Sequence, residues 1–325
     1  GNFKPNEESA RCPPQVDAKY GRTSSVRSSA GAVTSAPRAM TSWYVGGLTM
    51  LALVGFAANS ILCRAALGNR AIDAATFSTL RLLAGAIALW LLHASRRGAQ
   101  PPGEASWSSA ALLFLYAVPF SFAYISLSTG TGALILFGAV QATMLISGLA
   151  SGERLHARQW LGLAVALRGL VYLVLPGVSA PPAARSLLMG IAGVSWGRYS
   201  LHGRRAVDPL GQTRDNFLRS VPMAALVSLM AVGQLQITPA GALLAIASGA
   251  LASGVGYAVW YAALGGLTAT SAAAVQLLVP VIAAAGGVVV MGETITFRLL
   301  TASGFVLGGV AVALGRPRAA ERPYR

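Results

Sequence analysis

The segment SGERLHARQW, residues 151–160, is a charged islet between two apolar runs, and MGETITFRLL, residues 291–300, is a worn copy of it. The shared mark is a Gly-Glu pair, Gly152-Glu153 in one and Gly292-Glu293 in the other. With Glu153 set upon Glu293, Gly169 falls on Gly309 downstream. Upstream, Tyr124 and Leu127 fall on Tyr261 and Leu264 once three residues are gapped. The chain therefore reads as two related halves, residues 40–180 and 181–316, followed by a short cytosolic tail at 317–325.

The runs around these islets decide the solvent. Of 325 residues, 54% are hydrophobic and only 11% charged, and the mean hydropathy is +0.60. A soluble domain carries about 25% charged residues, so this chain has too few charges to cover a water-facing surface. A helix needs about 20 apolar residues to cross a hydrocarbon core about 30 Å thick. Ten apolar segments fall at 43–66, 74–95, 107–127, 131–149, 160–176, 186–203, 217–235, 240–263, 269–290 and 298–315. The break STGTG (128–132) makes the third and fourth a tight hairpin. Five helices per half is an odd number, so the second half enters from the opposite side. The expected fold is an all-α integral membrane protein, with ten transmembrane helices as two inverted five-helix repeats. Carriers built this way open alternately to each face and bind near the midplane between the halves, here in an uncharged pocket.

The net charge of +15 comes almost wholly from arginine at the ends of apolar runs. It reads as topology rather than as a nucleic-acid-binding face. With the N-terminus inside, Arg96, Arg97, Arg154, Arg158, Arg204, Arg205, Arg214, Arg219, Arg316, Arg318, Arg322 and Arg325 are inside. Only Arg70, Arg185 and Arg298 lie outside. Both termini are expected to be cytosolic, in the plasma (inner) membrane of a bacterium. His93, His156 and His202 also fall at inner ends. Residues 1–39, rich in Ser, Pro, Gly and Arg, have no apolar run and read as disordered, either a non-native leader or a cytosolic tail, with Met40 as a natural start. Cys12 and Cys63 match no metal or disulfide spacing.

Longer strings carry a resemblance: GTGALILFGAVQATM (130–144), GLVYLVLPG (169–177), WGRYSL (196–201) and DNFLRS (215–220). Together with the repeated Gly-Glu hairpin, they resemble the EamA-type drug/metabolite transporter superfamily, and within it the YddG-type aromatic amino-acid exporters. The resemblance covers residues 43–315. It implies a substrate cavity lined by helices 1, 3, 4, 6, 8 and 9, and export of amino acids across the inner membrane. Arg168 and Arg198 depart from the pattern, standing where that branch has a small or apolar residue. Either they line water and alter the substrate, or they sit at the bundle edge, since an arginine in mid-membrane is costly.

The candidate substrate-binding residues are polar or aromatic side chains within the spans. Gln141, Gln276 and Asn59 each need hydrogen-bond partners in hydrocarbon, on a neighbouring helix or on substrate. Tyr116, Tyr124, Trp196, Tyr199, Tyr257, Trp260 and Tyr261 either pack between helices or stack on a planar substrate. Trp43, Tyr44, Trp107 and Trp160 fall at span ends, where an aromatic belt belongs. Arg64 and Arg81, placed toward the outer ends of spans one and two, either snorkel or meet a substrate carboxylate or an outer gate. Glu153 and Glu293 either cap helix starts or form gating salt bridges. Pro280 removes a backbone donor and kinks the ninth span. The small-residue pairs Gly193/Gly197 and Gly304/Gly308 permit close helix contact.

No span centre carries Asp, Glu or His, so a carboxylate relay for proton antiport is missing, and facilitated export is expected. No HExxH or paired acids mark an enzyme. The leading reading is an alternating-access carrier exporting aromatic or other neutral amino acids and related metabolites. The alternative is export of another small metabolite or drug. Neither cofactor nor metal is expected, and the partners are substrate and lipid, with the protein a monomer or weak homo-oligomer.

Overall fold

The computed structural model describes Gly1 and residues 42–95, 106–150, 156–175, 177, 180–203, 206–267, 272 and 275–314. These residues form helices α1 (Ser42–Gly68), α2 (Ala74–Ala94), α3 (Trp107–Ala123), α4 (Thr129–Ala150), α5 (Ala157–Val174), α6 (Ala183–Gly203) and α7 (Pro209–Met230). They are followed by α8 (Pro239–Leu264), α9 (Leu278–Met291) and α10 (Phe297–Leu314). Helices α1, α2, α4 and α8 are each long and apolar enough to cross a membrane, and α3, α9 and α10 are shorter apolar helices. Large apolar side chains face outward all along the body, among them Leu187, Leu226, Leu243 and Val289. Such a surface suits lipid rather than water.

Local chemistry sets the helix starts. Asp73 accepts the Thr76 N–H at 2.9 Å and so caps α2, Ser106 accepts the Ser109 N–H at 3.1 Å and caps α3, and Thr238 accepts the Gly241 N–H at 3.1 Å and caps α8. Pro209 opens α7 in the first turn, where its missing N–H is no loss. This helix thus begins eight residues before the apolar run at 217–235 that the sequence marks, because its first turns bury Thr213 and Asn216 against the bundle instead of facing solvent. Inside α8, residues Ser248–Val255 wind as a π-helix. There Gly249 lies so close to the Arg81 backbone of α2 that a β-carbon would overlap its carbonyl.

Inter-helix bonds show which ends lie together. Arg64, late in α1, donates to the carbonyls of Tyr124 and Ile125 just after α3, and Glu293, just after α9, accepts from Thr129 at the start of α4. Arg185 at the start of α6 reaches Phe122 O of α3, and Arg298 at the start of α10 reaches Leu175 O after α5. The α1–α2 and α7–α8 loops bridge at Ile72 and Ile237. All these meet at one end, here the far end. The near end holds the start of α1 and the last described turn of α10, so α1 and α6 begin at opposite ends. Trp43, Tyr44, Trp107 and Trp160, all exposed, open α1, α3 and α5 at the near end.

Helix pairs pack in a recurring pattern: α2 on α7, α5 on α10, α3 on α6 and α1 on α8, α4 on α6 and α1 on α9. Small residues permit the closest of these. Gly162 of α5 and Gly309 of α10 face each other's backbone, and Gly193 and Gly197 of α6 lie against Leu136, Ala139 and Thr143 of α4. Gly304 and Gly308, expected to serve the same purpose, face open space. The contact side of α10 is one residue further along.

Candidate functional site: an aromatic vestibule above a buried polar cluster

A cavity of about 340 Å³ opens at the near end between α4, α6, α7 and α8. Residues 196, 199, 200 and 203 of α6 and 257, 260, 261 and 264 of α8 line it, the spacing that puts side chains on one helix face. Trp196 stacks on Tyr199 (centroids 5.5 Å, 27°) and on Tyr257 (5.2 Å, 26°). Trp260 meets Phe56 of α1 edge-on at 5.8 Å. The tyrosine hydroxyls are held from α7: Asn216 Nδ2 donates to Tyr199 Oη at 3.3 Å, and Thr213 Oγ1 lies 2.8 Å from Tyr261 Oη. The early start of α7 is what brings these two polar side chains to the site.

Deeper in, Trp196, Tyr257 and Gln276 separate the vestibule from a void of about 20 Å³ that they also line, with Phe56, Asn59, Tyr116 and Phe120. Here Asn59 of α1, Arg81 of α2, Tyr116 of α3 and Ser248 of α8 form one polar cluster near the middle of their helices. Asn59 Nδ2 and Arg81 Nη2 both donate to Tyr116 Oη, at 3.2 and 3.0 Å, and the Ser248 hydroxyl donates to Asn59 Oδ1 at 2.6 Å. Arg81 is 1% exposed, and its Nε and Nη1 have no partner among the described residues. The guanidinium carbon lies 4.9 Å from the Phe120 ring centre and 5.3 Å from that of Tyr116, a cation–π arrangement. The expectation of Arg81 snorkelling at an outer helix end is corrected: two turns into α2, with Phe120 and Tyr116 above it, it has no path to water. The pocket is therefore not remote from charge.

The far end is closed by a different set. Arg64 Nε lies 3.3 Å from Glu293 Oε1, while the Glu293 carboxylate accepts the Thr129 N–H at 2.8 and 3.1 Å. Glu293 thus caps α4, a helix other than the one it precedes, and pairs with arginine at the same time. Tyr124, fully buried, ends α3 and approaches the Thr129 carbonyl with its hydroxyl at 3.3 Å. It belongs to this closure and lines neither the vestibule nor the void. Outside the closure a second recess of about 610 Å³ is lined by Arg64, Ser126, Ser128, Thr131, Met291 and Glu293.

Three further expectations meet the following geometry. Gln141 is 2% exposed with its amide nitrogen unpartnered among the described residues, but it lines neither cavity. Ala272, Val275 and Gln276 are helical, Leu277 is a turn and α9 resumes at Leu278, so the ninth apolar run is interrupted just before Pro280, which cannot donate to the Gln276 carbonyl four residues back. Arg168 and Arg198 are both exposed on the outside of the bundle, away from the cavities, the second of the two alternatives the sequence offered. Glu153 lies outside the described residues. The sequence singles out Tyr116 only as an interior aromatic and Ser248 not at all; a tyrosine and a serine inside apolar helices carry no local sign that they share a hydrogen-bond cluster.

Comparison with known proteins agrees with this architecture. The chain is 53% identical over 267 residues, 82% of its length and 93% of the relative's, to Uncharacterized protein PA1977 of Pseudomonas aeruginosa. It is 26% identical over 202 residues, 56% of its length and 66% of the relative's, to a probable amino-acid metabolite efflux pump of Salmonella typhimurium. A protein of known crystal structure superposes with a TM-score of 0.59 at 20% identity, covering 82% of this chain and 98% of the other, which shows a shared fold. The model of the EamA-like transporter family matches residues 185–315, the stretch from α6 through α10. With its apolar helices, the chain is a multi-pass membrane protein that belongs to the EamA-like transporter family.

Proposed function

We propose that this protein is an alternating-access carrier that exports aromatic or other neutral amino acids and related metabolites across the bacterial inner membrane. The observation that carries the reading is the vestibule of Trp196, Tyr199, Tyr257, Trp260 and Tyr261, open at the near end and blocked beyond by the Arg64–Glu293 closure. Its volume of about 340 Å³ lies in the range of small-molecule sites, about 300–1,000 Å³. Stacked rings with hydrogen-bonded hydroxyls suit a planar side chain. The distant efflux-pump relative points to the same class of cargo.

Two inverted five-helix repeats, residues 40–180 and 181–316, are supported by the packing. Exchanging each helix for the one five places on leaves the pairs α2–α7 and α5–α10 in place. It turns α3–α6 into α8–α1 and α4–α6 into α9–α1. The family model matching only α6 through α10 is what a repeated unit of five helices produces. Glu293, which follows α9, bonds the start of α4, whereas α4 ends at Ala150, 22 helical residues or about 33 Å away. The fourth helix of each half, α4 and α9, thus ends on opposite faces, as an inverted repeat requires. The arginine bias of the sequence supports reading the near end as cytosolic, with the vestibule opening to the cytosol. The structure is then the inward-open state, ready to load.

Arg81 lies two turns into α2 and Asp215 two turns into α7, where it pairs with Arg214 at 2.6 Å. No carboxylate among the described residues lines the vestibule or the void, which supports export down the substrate gradient without a carboxylate proton relay. Proteoliposomes loaded with labelled tryptophan or phenylalanine test the reading. Protein-dependent loss of label that survives collapse of the proton gradient is expected. Movement of another solute class with both amino acids retained overturns the cargo, and strict dependence on the gradient overturns the facilitated mechanism.

A further inference from the structure

We infer that the polar cluster of Arg81, Tyr116, Asn59 and Ser248 is a subsite for a carboxylate, which makes a negative group on the substrate a requirement for its binding. The inference rests on the carrier reading above and names the chemistry at the deep end of the same pathway.

The argument begins with the tyrosine hydroxyl. A phenol has one donor and two acceptor positions. Tyr116 Oη receives N–H donors from Asn59 and Arg81, which occupy both acceptor positions. Its own O–H proton is left to give, and Tyr116 lines the void of about 20 Å³, room for one small polar group. Asn59 does not take that proton: it turns its amide nitrogen, a donor, to the phenol, while its carbonyl oxygen faces Ser248. The bound guanidinium draws electron density from the phenol and strengthens it as a donor. Of the four, Tyr116 and Asn59 line the void while Arg81 and Ser248 stand behind them, so the void presents a polarised O–H backed by a full positive charge.

Arg81 supplies the second, independent sign. It is 1% exposed with Nε and Nη1 unpartnered, and no ion pair formed among the described residues includes it. A buried charge without a counter-ion is costly, and breaking or lacking a partner is worse than never burying the charge. An anionic group entering the void offsets that cost; a neutral or cationic one does not. The geometry of entry is consistent: the vestibule and void share Trp196, Tyr257 and Gln276 as their dividing wall. A ring held by the stacked aromatics would aim a carboxylate past that wall at Tyr116.

The test uses the purified full chain in detergent, with 3-phenylpropionate and its isosteric neutral amide, 3-phenylpropionamide. The acid is expected to raise the thermal unfolding midpoint by about 2–4 °C at concentrations far above its Kd, and the amide not to. Tyr116→Phe, which deletes only the hydroxyl, abolishes the difference, and Arg81→Gln does the same where it folds. Equal shifts from acid and amide, an undiminished acid shift in Tyr116→Phe, or no shift from the acid overturns the subsite. Phenylalanine efflux from proteoliposomes is scored separately. A carboxylate preference without amino-acid efflux keeps the subsite and sinks the cargo, while efflux without the preference does the reverse.

Discussion

Arg64 and Glu293, 229 positions apart in the chain, meet at 3.3 Å and together close two helix ends. The arginine donates to the last carbonyls of the α3 turn, and the glutamate accepts the first N–H of α4. Each side chain satisfies groups that a helix end leaves without partners, with the sign of charge that the helix dipole favours at that end.

Because this pair holds the far end shut, its loss should shift the carrier toward outward opening. Glu293→Gln removes a half-buried charge pair and weakens a cap, about 1–2 kcal/mol, which is roughly 5- to 30-fold in an equilibrium. Ser60, which is buried and lines the central void, serves as reporter. In a chain with Cys12 and Cys63 replaced by alanine, Ser60→Cys should react faster by that factor with a membrane-impermeant maleimide added outside. An unchanged rate would show that the pair is only structural.

Trp196 contacts three rings, Tyr116 at 4.9 Å as well as Tyr199 and Tyr257. Trp196→Ala removes a wall of both the vestibule and the void. An increase in the half-saturating concentration for amino-acid efflux of about tenfold or more is expected, the loss of one or two ring contacts at about 0.5–1.5 kcal/mol each. Trp43→Ala, at an exposed helix start, should leave that concentration unchanged.

Gly162 should tolerate nothing larger. A β-carbon there would press on the Gly309 carbonyl and the Ala313 backbone, atoms that cannot turn aside. Gly162→Ala is expected to cost about 1–3 kcal/mol of stability. Gly304→Ala and Gly308→Ala, which meet nothing within 4 Å, should stay within about 0.5 kcal/mol of the parent. Thermal unfolding of the three variants in one detergent separates the two classes.

Pro280→Ala tests the interruption before α9. The proline leaves the Gln276 carbonyl, four residues back, without an intrahelical donor. The substitution restores that donor, so stability should hold or rise by up to about 1 kcal/mol, while efflux slows. Unchanged efflux would show that the break plays no part in gating.

Much of the architecture was readable in the chain because hydrocarbon imposes a simple rule. Every span needs a long apolar run, and every connector can be polar. That rule locates α1 to α6 within a few residues, and it fails where a helix buries polar side chains. The first two turns of α7 are polar in sequence and helical in the structure, since Thr213 and Asn216 find tyrosine hydroxyls inside. The ninth run shows another limit: it is helical at Ala272, Val275 and Gln276, is interrupted at Leu277 and resumes as α9, a break that hydropathy alone does not mark.

The aromatic wall was half legible. Spacing by three and four puts 196 and 199, and 257, 260 and 261, on single helix faces, but whether a face meets a cavity or a neighbour is not a property of one helix. Tyr124 and Gln141 look equally suitable in sequence, and both lie away from the cavities.

The amino-acid sequence alone determined the solvent, the number of apolar runs and the bias of arginine toward one side, because these follow from side-chain transfer energies added along the chain. Tertiary structure alone decided that Arg81 stands buried without a counter-ion, that Glu293 caps α4 and that Tyr116 has a proton left to donate. Those facts depend on which atoms from α1, α2, α3, α8 and α9 come within about 3 Å of one another, and hydrogen bonding is a matter of such distances rather than of order along the chain.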